Sequence, residues 1–337
     1  MAAVTNNRTP VTLKDVAKAT GFSANTVSHA LAGKPDISIA TKKIISDKAR
    51  EMGYITNALA SFLRSGISKT ISIIVGDISN PHFAIIVKEV QTLLQKRGYT
   101  CTIFNTEENK DLELRAITAS ISQNADGIII CPTPNGQKNL DLLRQYNKRF
   151  VLLGRRFDNS DANYVVCDDE NGGYVAAQYL LANGHKEILF LNGPRDISSA
   201  RERLHGYRRA LTEAGAEYRS NLVFTVPILG DEEKIAQALA KAQKYTAVLG
   251  FSDLVAWQAI CCLEKQGRSV PKDCSVIGFD NISFTYPLKL TSISSSKTTM
   301  AKKAVDLLMK ELTNTGAPIK QVVLETKLIE GATVKPR

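Results

Sequence analysis

From Thr70 onward the chain alternates short apolar runs with amphipathic stretches, and that alternation limits the possible folds more than any other feature. The runs are ISIIV (71–75), TCTIFN (100–105), DGIIIC (126–131), FVLLG (150–154), EILFLNG (187–193), AVLGF (247–251) and CSVIGF (274–279). Near-continuous apolar strands between helices predict α/β architecture with parallel sheets covered on both faces. One βα series runs to about residue 154, the stretch YVVCDDENGG follows, and a second series begins. Two similar lobes with a cleft between them are expected. Ligands of such sheets sit at the carboxyl ends of the strands. The polar residues that follow the runs are therefore site candidates: Asp77, Arg155, Ser252, Asp253 and Asp280.

The segment ahead of Thr70 has a different pattern. Thr12 is placed to cap a helix over Leu13–Thr20, and Gly21-Phe22 breaks it. Ser23 is placed to cap a second helix, Ala24–Leu31. Ser38 is placed to cap a third that runs to about Met52, with Ile44, Ile45, Ala49 and Met52 facing inward. Helix, glycine turn, helix and supporting helix make a helix-turn-helix pattern. Residues 1–10 read as a frayed tail. Residues 57–66, NALASFLRSG, read as one two-turn helix, too short to hold alone in water, so it requires protein or DNA as a partner.

Charge supports a nucleic-acid contact at this end. The 337 residues carry a formal net charge of +10, and the first 70 alone hold ten Lys/Arg against four Asp/Glu. A basic head on a nearly neutral body is the footprint of phosphate binding. With 44% hydrophobic and 23% charged residues, the chain has an ordinary globular composition. No apolar run approaches a membrane span, and MAAVTNNRTP has no apolar signal core, so a cytoplasmic protein is expected. The six cysteines form no CxxC pair and have no His at metal-ligand spacing. They read as buried apolar residues in a reducing compartment, with no metal or cofactor expected. No G-x-S-x-G, Walker A or GxGxxG after the first strand points to an enzyme.

The residues VTLKDVAKATGFSANTVSHALAGKPDIS, GYITNALASFLRSG and ISIIVGDISNPHFA, then NADGIII, VAAQYLLANGHKEILFLNGP, ARERLHGYRRAL and CSVIGFDNI, resemble the LacI/GalR family of bacterial transcription regulators. The resemblance spans nearly the whole chain from Val11. It implies a helix-turn-helix head at 11–56, a hinge helix at 57–67 and a two-lobed, periplasmic-binding-protein-like core at 68–337. The lobes would comprise about 68–166 with 297–325, and about 167–296 with 326–335. A sequence-specific repressor is implied, with a double-stranded, pseudo-palindromic operator as partner. By the same resemblance Ala24, Asn25 and His29 read bases. Ser23, Thr26 and Ser28 can donate to phosphate or bases, Lys14 and Asn57 contact the backbone, Leu63 is a minor-groove wedge, and Arg64 meets a phosphate. Relatives commonly carry Arg where this chain has His29, and a His makes one weaker hydrogen bond, so the base read there is left open.

For the body, the resemblance implies a small-molecule effector, a sugar or sugar derivative, held by Asp77, His82, Phe83, Arg155, Arg203, Phe251, Ser252 and Asp280. Ser252-Asp253 replaces the family's usual Asn-Asp, Gly154-Arg155 stands where many relatives have Asp-Arg, and Pro134 replaces an aspartate. Fewer acceptors leave a sugar acid, phosphorylated sugar or glycoside open, and the arginines favour an anion. Effector binding would shift the lobe arrangement and the hinge helices, with induction the expected sign and co-repression the alternative. No C-terminal leucine heptad appears, so a homodimer is expected. The rival readings are a partner-protein co-regulator, a solute-binding protein, or an enzyme on the same fold.

Overall fold

The computed structural model describes residues 10–55, 62, 65–242, 244–282, 288–314, 316 and 318–337. The chain divides into two compact units, Met1–Ser68 and Lys69–Arg337.

The first unit contains α1 (Leu13–Thr20), α2 (Ala24–Leu31) and α3 (Ile39–Glu51). Thr12 and Asp15 cap α1 reciprocally: Thr12 N donates to Asp15 Oδ2 at 2.8 Å, and Asp15 N donates to Thr12 Oγ1 at 3.4 Å. Gly21 takes φ +73°, a left-handed conformation glycine adopts without a Cβ clash, and the chain turns there into α2. Ser23 and Ser38 cap α2 and α3 by accepting from Thr26 N and Thr41 N, each at 3.1 Å. The core of this unit is Val16, Ala17, Val27, Ala30, Ile45 and Ala49. Ile44 corrects the expected inner face, because it is 55% exposed. Consecutive helical residues point about 100° apart, and Ile45 takes the inward place. Asn57, Leu63 and Arg64 lie outside the described residues.

The second unit carries twelve strands among its described residues. In chain order they are β1 (Thr70–Val75), β2 (Thr100–Asn105), β3 (Gly127–Ile130), β4 (Arg149–Leu153), β5 (Asn163–Cys167), β6 (Ile188–Asn192), β7 (Val223–Thr225), β8 (Ala247–Gly250), β9 (Ser275–Phe279), β10 (Thr291–Ser294), β11 (Gln321–Leu324) and β12 (Lys327–Ile329). Its helices are α4 (Pro81–Gln95), α5 (Lys110–Ser122), α6 (Asn139–Gln145), α7 (Asp169–Ala182), α8 (Ser198–Glu213), α9 (Glu232–Lys241), α10 (Asp253–Lys265) and α11 (Lys297–Thr313). They build two six-stranded sheets, ordered β11-β5-β4-β3-β1-β2 and β12-β10-β9-β8-β6-β7. Neighbours run parallel except β10 and β12. Each sheet with its helices forms one lobe.

The central strand β1 shows why these runs form a sheet covered on both faces. Ile71, Ile73 and Val75 point to one side, against Phe83, Ile86, Val90 and Leu94 of α4 and Met300 and Ala304 of α11. Ile74 points to the other, with Ile117, Leu140 and Leu143. A fully buried isoleucine contributes about 2–3 kcal/mol by leaving water, which is what selects this register.

The chain crosses between the lobes three times, after β5, after β10 and after β11. Cys167 Sγ and Ser295 Oγ lie 2.8 Å apart where two crossings meet. Cys131, Cys167, Cys262 and Cys274 are buried, but Cys261 is exposed and Cys101 only half-buried. The uniform burial expected of the cysteines fails at Cys261 because α10 turns its neighbour Cys262 inward. No helix among the described residues is long and apolar enough to cross a membrane.

Candidate functional site

In the first unit, α2 presents its amino-terminal end to solvent. Ala24 and Asn25 are exposed, as is Lys14 on α1. Ser23 and Thr26 are joined, their hydroxyl oxygens 2.9 Å apart, so part of their hydrogen-bonding capacity goes to capping. Ser28 and His29 are half-buried. His29 Nδ1 lies 2.6 Å from Asp36 Oδ2 in the loop after α2. That hydrogen bond from His29 holds the Asp36 carboxyl below its ordinary range.

In the second unit, the strand ends of both sheets face a cleft. The residues expected to line it come from five separate places in the chain. His82 and Phe83 lie in the first turn of α4, which Asn80 caps by accepting from His82 N at 3.0 Å. Arg155 follows β4, and Arg203 projects from α8. Phe251 and Ser252 follow β8, and Asp280 follows β9. All seven line the cleft, joined by Asn80, Cys131, Gly154, Ser199 and Ile228. Asp77 does not line it: its Oδ1 accepts from Ser79 N at 2.7 Å, which folds it into the turn before α4, and Asn80 stands at the cleft instead. Ser252 accepts from Val255 N at 3.3 Å as the cap of α10, which leaves its hydroxyl hydrogen for other partners.

Both cleft arginines already have carboxylates. Arg155 Nη1 and Nη2 donate to Glu108 Oε2 and Oε1 at 2.6 and 2.9 Å. Arg203 Nε donates to Asp169 Oδ1 at 2.8 Å, another guanidinium N–H reaches the Phe251 carbonyl, and the plane lies over the Phe251 and Phe279 rings. Burial pushes the Asp169 carboxyl up, and Arg203 pulls it back. With each positive fork spent on its own carboxylate, the cleft offers an incoming anion little uncompensated charge. The expectation that these arginines favour an anion loses its physical basis here.

Asp280 is the exception. It sits at φ +118°, a conformation that costs a non-glycine residue about 1–3 kcal/mol and persists only where the surroundings enforce it. Its N–H donates to Ile293 O at 2.7 Å, and the Lys297 ammonium donates to its carbonyl. Burial opposes its charge, but His82, Arg203 and Lys297 outweigh that and hold the carboxyl below its ordinary value. His82 Nδ1 comes within 3.1 Å of Asp280 Oδ1, from the opposite lobe. The two are not aligned as a hydrogen bond, so the buried Nδ1 lacks such a partner. Behind Asp280, Asp253 accepts from Ser292 Oγ and Ile282 N, each at 2.6 Å. Burial and the Asp280 charge push the Asp253 carboxyl up to about 7.

Glu108 and Asp169 escaped sequence reasoning. Glu108 lies after β2 in a pair of left-handed residues, Glu107 at φ +50° and Glu108 at φ +56°, which no sequence pattern announces. Asp169 was visible inside YVVCDDENGG, but nothing there said which of the two aspartates turns inward.

Residues 12–57 match the family model described as "Bacterial regulatory proteins, lacI family", and residues 68–331 match "Periplasmic binding proteins and sugar binding domain of LacI family". Curated relatives include the HTH-type transcriptional repressor PurR of Aliivibrio salmonicida, 31% identical over 310 residues, covering 89% of this chain and 92% of that protein. The PurR repressor of Pasteurella multocida is 31% identical over 332 residues, covering 97% and 99%. Among solved structures, a transcriptional regulator CelR–cellobiose complex superposes with a TM-score of 0.72 at 27% identity, covering 96% of this chain and 99% of that one. The Lac repressor dimer bound to operator and the anti-inducer ONPF superposes at 0.85, with 24% identity and coverage of 97% and 100%; at that identity it shows the shared fold.

Proposed function

Because the chain belongs to the LacI family of bacterial regulatory proteins, and is with its relatives a DNA-binding transcriptional repressor rather than an enzyme, we propose that it reads a pseudo-palindromic operator as a homodimer and answers to a neutral, sugar-like effector bound in the cleft between the core lobes. The head contacts are Ala24, Asn25 and His29 to bases, with Lys14, Ser23, Thr26 and Ser28 to phosphates or neighbouring bases. The effector contacts are His82, Phe83, Arg155, Arg203, Phe251, Ser252 and Asp280, and Asp77 drops out of the set. The observation that carries the choice of a neutral ligand is the double pairing of Arg155 with Glu108 and Arg203 with Asp169. What remains is one carboxylate acceptor, Asp280, an imidazole Nδ1 beside it that makes no hydrogen bond, and two aromatic walls, Phe83 and Phe251. That set suits a polyhydroxylated ring with one apolar face. A relative in this family is described as a complex with cellobiose, which supports a sugar or glycoside here. Lobes held together by a ligand between His82 and Asp280 would differ from lobes without one, and induction is the proposed sign of the response.

The test is a titration of the purified protein with matched sets of neutral sugars, sugar acids and sugar phosphates, read by calorimetry and by release of the operator. Binding and release by a member of the neutral set, with the charged analogues at least tenfold weaker, supports the reading. Tight binding of a sugar acid or phosphate overturns the choice of a neutral effector. Tighter operator binding on addition of the ligand overturns induction.

A further inference from the structure

The loop that follows α2 folds back over the end of that helix. Ala32 N donates to Ser28 O at 3.0 Å, Gly33 N to Ala30 O at 3.0 Å, and Lys34 N to His29 O at 3.1 Å. Pro35 and Asp36 come next, and the return of the loop brings the Asp36 carboxylate to His29 Nδ1 at 2.6 Å. The contact is seven residues apart in sequence and joins a helix to its exit loop. It is thus a product of the fold rather than of helix spacing. His29 stands on the helix that the proposed function assigns to base reading, and the inference here rests on that assignment.

An ionised carboxylate can only accept a hydrogen bond. Asp36 is half exposed, and the His29 bond holds its carboxyl below the ordinary range, so it is ionised at neutral pH. The hydrogen between the two groups therefore belongs to His29 Nδ1. A neutral imidazole carries one hydrogen, so Nε2 is left with a bare lone pair. In the major groove a bare lone pair finds partners only on bases that present an exocyclic amine: cytosine N4 and adenine N6. It faces like against like at guanine N7 and O6 and at thymine O4. An arginine at the same place makes the opposite choice, because it donates to guanine.

We propose that Asp36 is a positioning residue that fixes the tautomer of His29, so that this helix selects an amine-bearing base, cytosine or adenine, and rejects guanine at one position of each half-site.

The experiment is selection of binding sites from a randomised double-stranded DNA library at pH 8, where an imidazole is neutral, using the full-length protein and the variants Asp36→Asn, Asp36→Ala, His29→Ala and His29→Ala/Asp36→Ala. The expected wild-type result is a palindromic site with one position per half-site that favours cytosine or adenine over guanine by about tenfold. In Asp36→Asn the new side-chain amide offers an N–H as well as a carbonyl, so the imidazole can turn its hydrogen to Nε2. That position should then lose its preference or move to guanine while every other position keeps its own. In the His29→Ala background the Asp36→Ala change should alter the selected site no further, because Asp36 acts through His29. A loop-structural role for Asp36 would instead lower affinity at all positions together and persist without His29. Retention of the same base by Asp36→Asn, or a guanine preference in the wild type, overturns the proposal and leaves the repressor reading standing. Failure of the wild type to enrich any site overturns both. Unchanged melting of each variant, followed by circular dichroism, shows that loss of preference is not loss of fold.

Discussion

Replacing Arg203 with methionine tests the electrostatics of the cleft most directly. Methionine keeps an unbranched apolar stem, but removes the guanidinium that lies over the Phe251 and Phe279 rings and abandons Asp169, which is 3% exposed. Removing one partner of a buried ion pair costs about 3–5 kcal/mol, because the other charge is left without compensation. The abandoned carboxyl has an escape: it can take up a proton. Starting from an ordinary aspartate, protonation costs about 5.6 kcal/mol at pH 8 but only about 1.5 kcal/mol at pH 5, at 1.36 kcal/mol per pH unit. The pair's loss is therefore about 3–5 kcal/mol at pH 8 and is capped near 1.5 kcal/mol at pH 5. The lost cation–aromatic stacking adds about 1 kcal/mol at both. The sign follows from linkage. A folded-state Asp169 raised above its unfolded value stabilises the variant fully below the unfolded value, and that stability is lost as pH rises through the folded one. Urea unfolding followed by the fluorescence of Trp257, the single tryptophan, on α10 of the same lobe, reads this at both pH values. The deficit relative to wild type should be about 1.5–3.5 kcal/mol larger at pH 8 than at pH 5. In an Asp169→Asn background the same substitution should cost about 1 kcal/mol, with no pH dependence. An equal loss at the two pH values, or a loss under about 1 kcal/mol at pH 8, refutes the account of Arg203 as the counter-charge of Asp169.

Three further outcomes follow from the same geometry. At Gly206 a Cβ would stand 1.9 Å from Glu170 O and 2.6 Å from Tyr174 N, both backbone atoms, so Gly206→Ala must drive α8 away from α7. It should cost more than about 3 kcal/mol in thermal or urea unfolding, and a change within the error of wild type would contradict that close approach. The Asp253 carboxyl lies at about 7 in the folded protein, above its unfolded value, so its contribution is full below about pH 4 and lost as pH rises towards 7. Asp253→Asn should flatten the wild-type decline in stability over pH 5–8 by a few kcal/mol, as measured by unfolding at each pH. Asp280→Asn should weaken the effector at least tenfold in calorimetry while leaving operator affinity without effector unchanged; undiminished effector binding would remove Asp280 from the site.

The strands of the core are legible in the sequence because burial on both faces leaves no room for polar alternation; six of the seven apolar runs became such strands, and the seventh, 100–105, became the half-exposed edge strand β2. β10 hides for the opposite reason. Thr291-Ser292-Ile293-Ser294 is no apolar run, yet Thr291, Ser292 and Ile293 are buried, because the Ser292 hydroxyl donates to the Asp253 carboxylate and Thr291 N donates to the Thr333 hydroxyl. The same limit governs the cleft. That polar residues after strands would gather there follows from the topology of a parallel sheet alone; Arg155, Ser252 and Asp280 line the cleft, whereas Asp77 and Asp253 do not. What those residues could offer a ligand did not follow. Arg155 and Arg203 read as free positive forks, and the carboxylates that occupy them sit 47 and 34 residues away in sequence. Glu108 reaches Arg155 from a left-handed turn, and Asp169 differs from its neighbour Asp168 only in which way the first turn of α7 faces: Asp169 inward to Arg203, Asp168 to cap Asn171. Position in a fold thus follows from pattern, but the charge state of a site is set by partners that only the folded chain assembles. The His29–Asp36 pair in the head obeys the same rule on a smaller scale: the helix names the reader, and the loop decides which nitrogen carries the hydrogen.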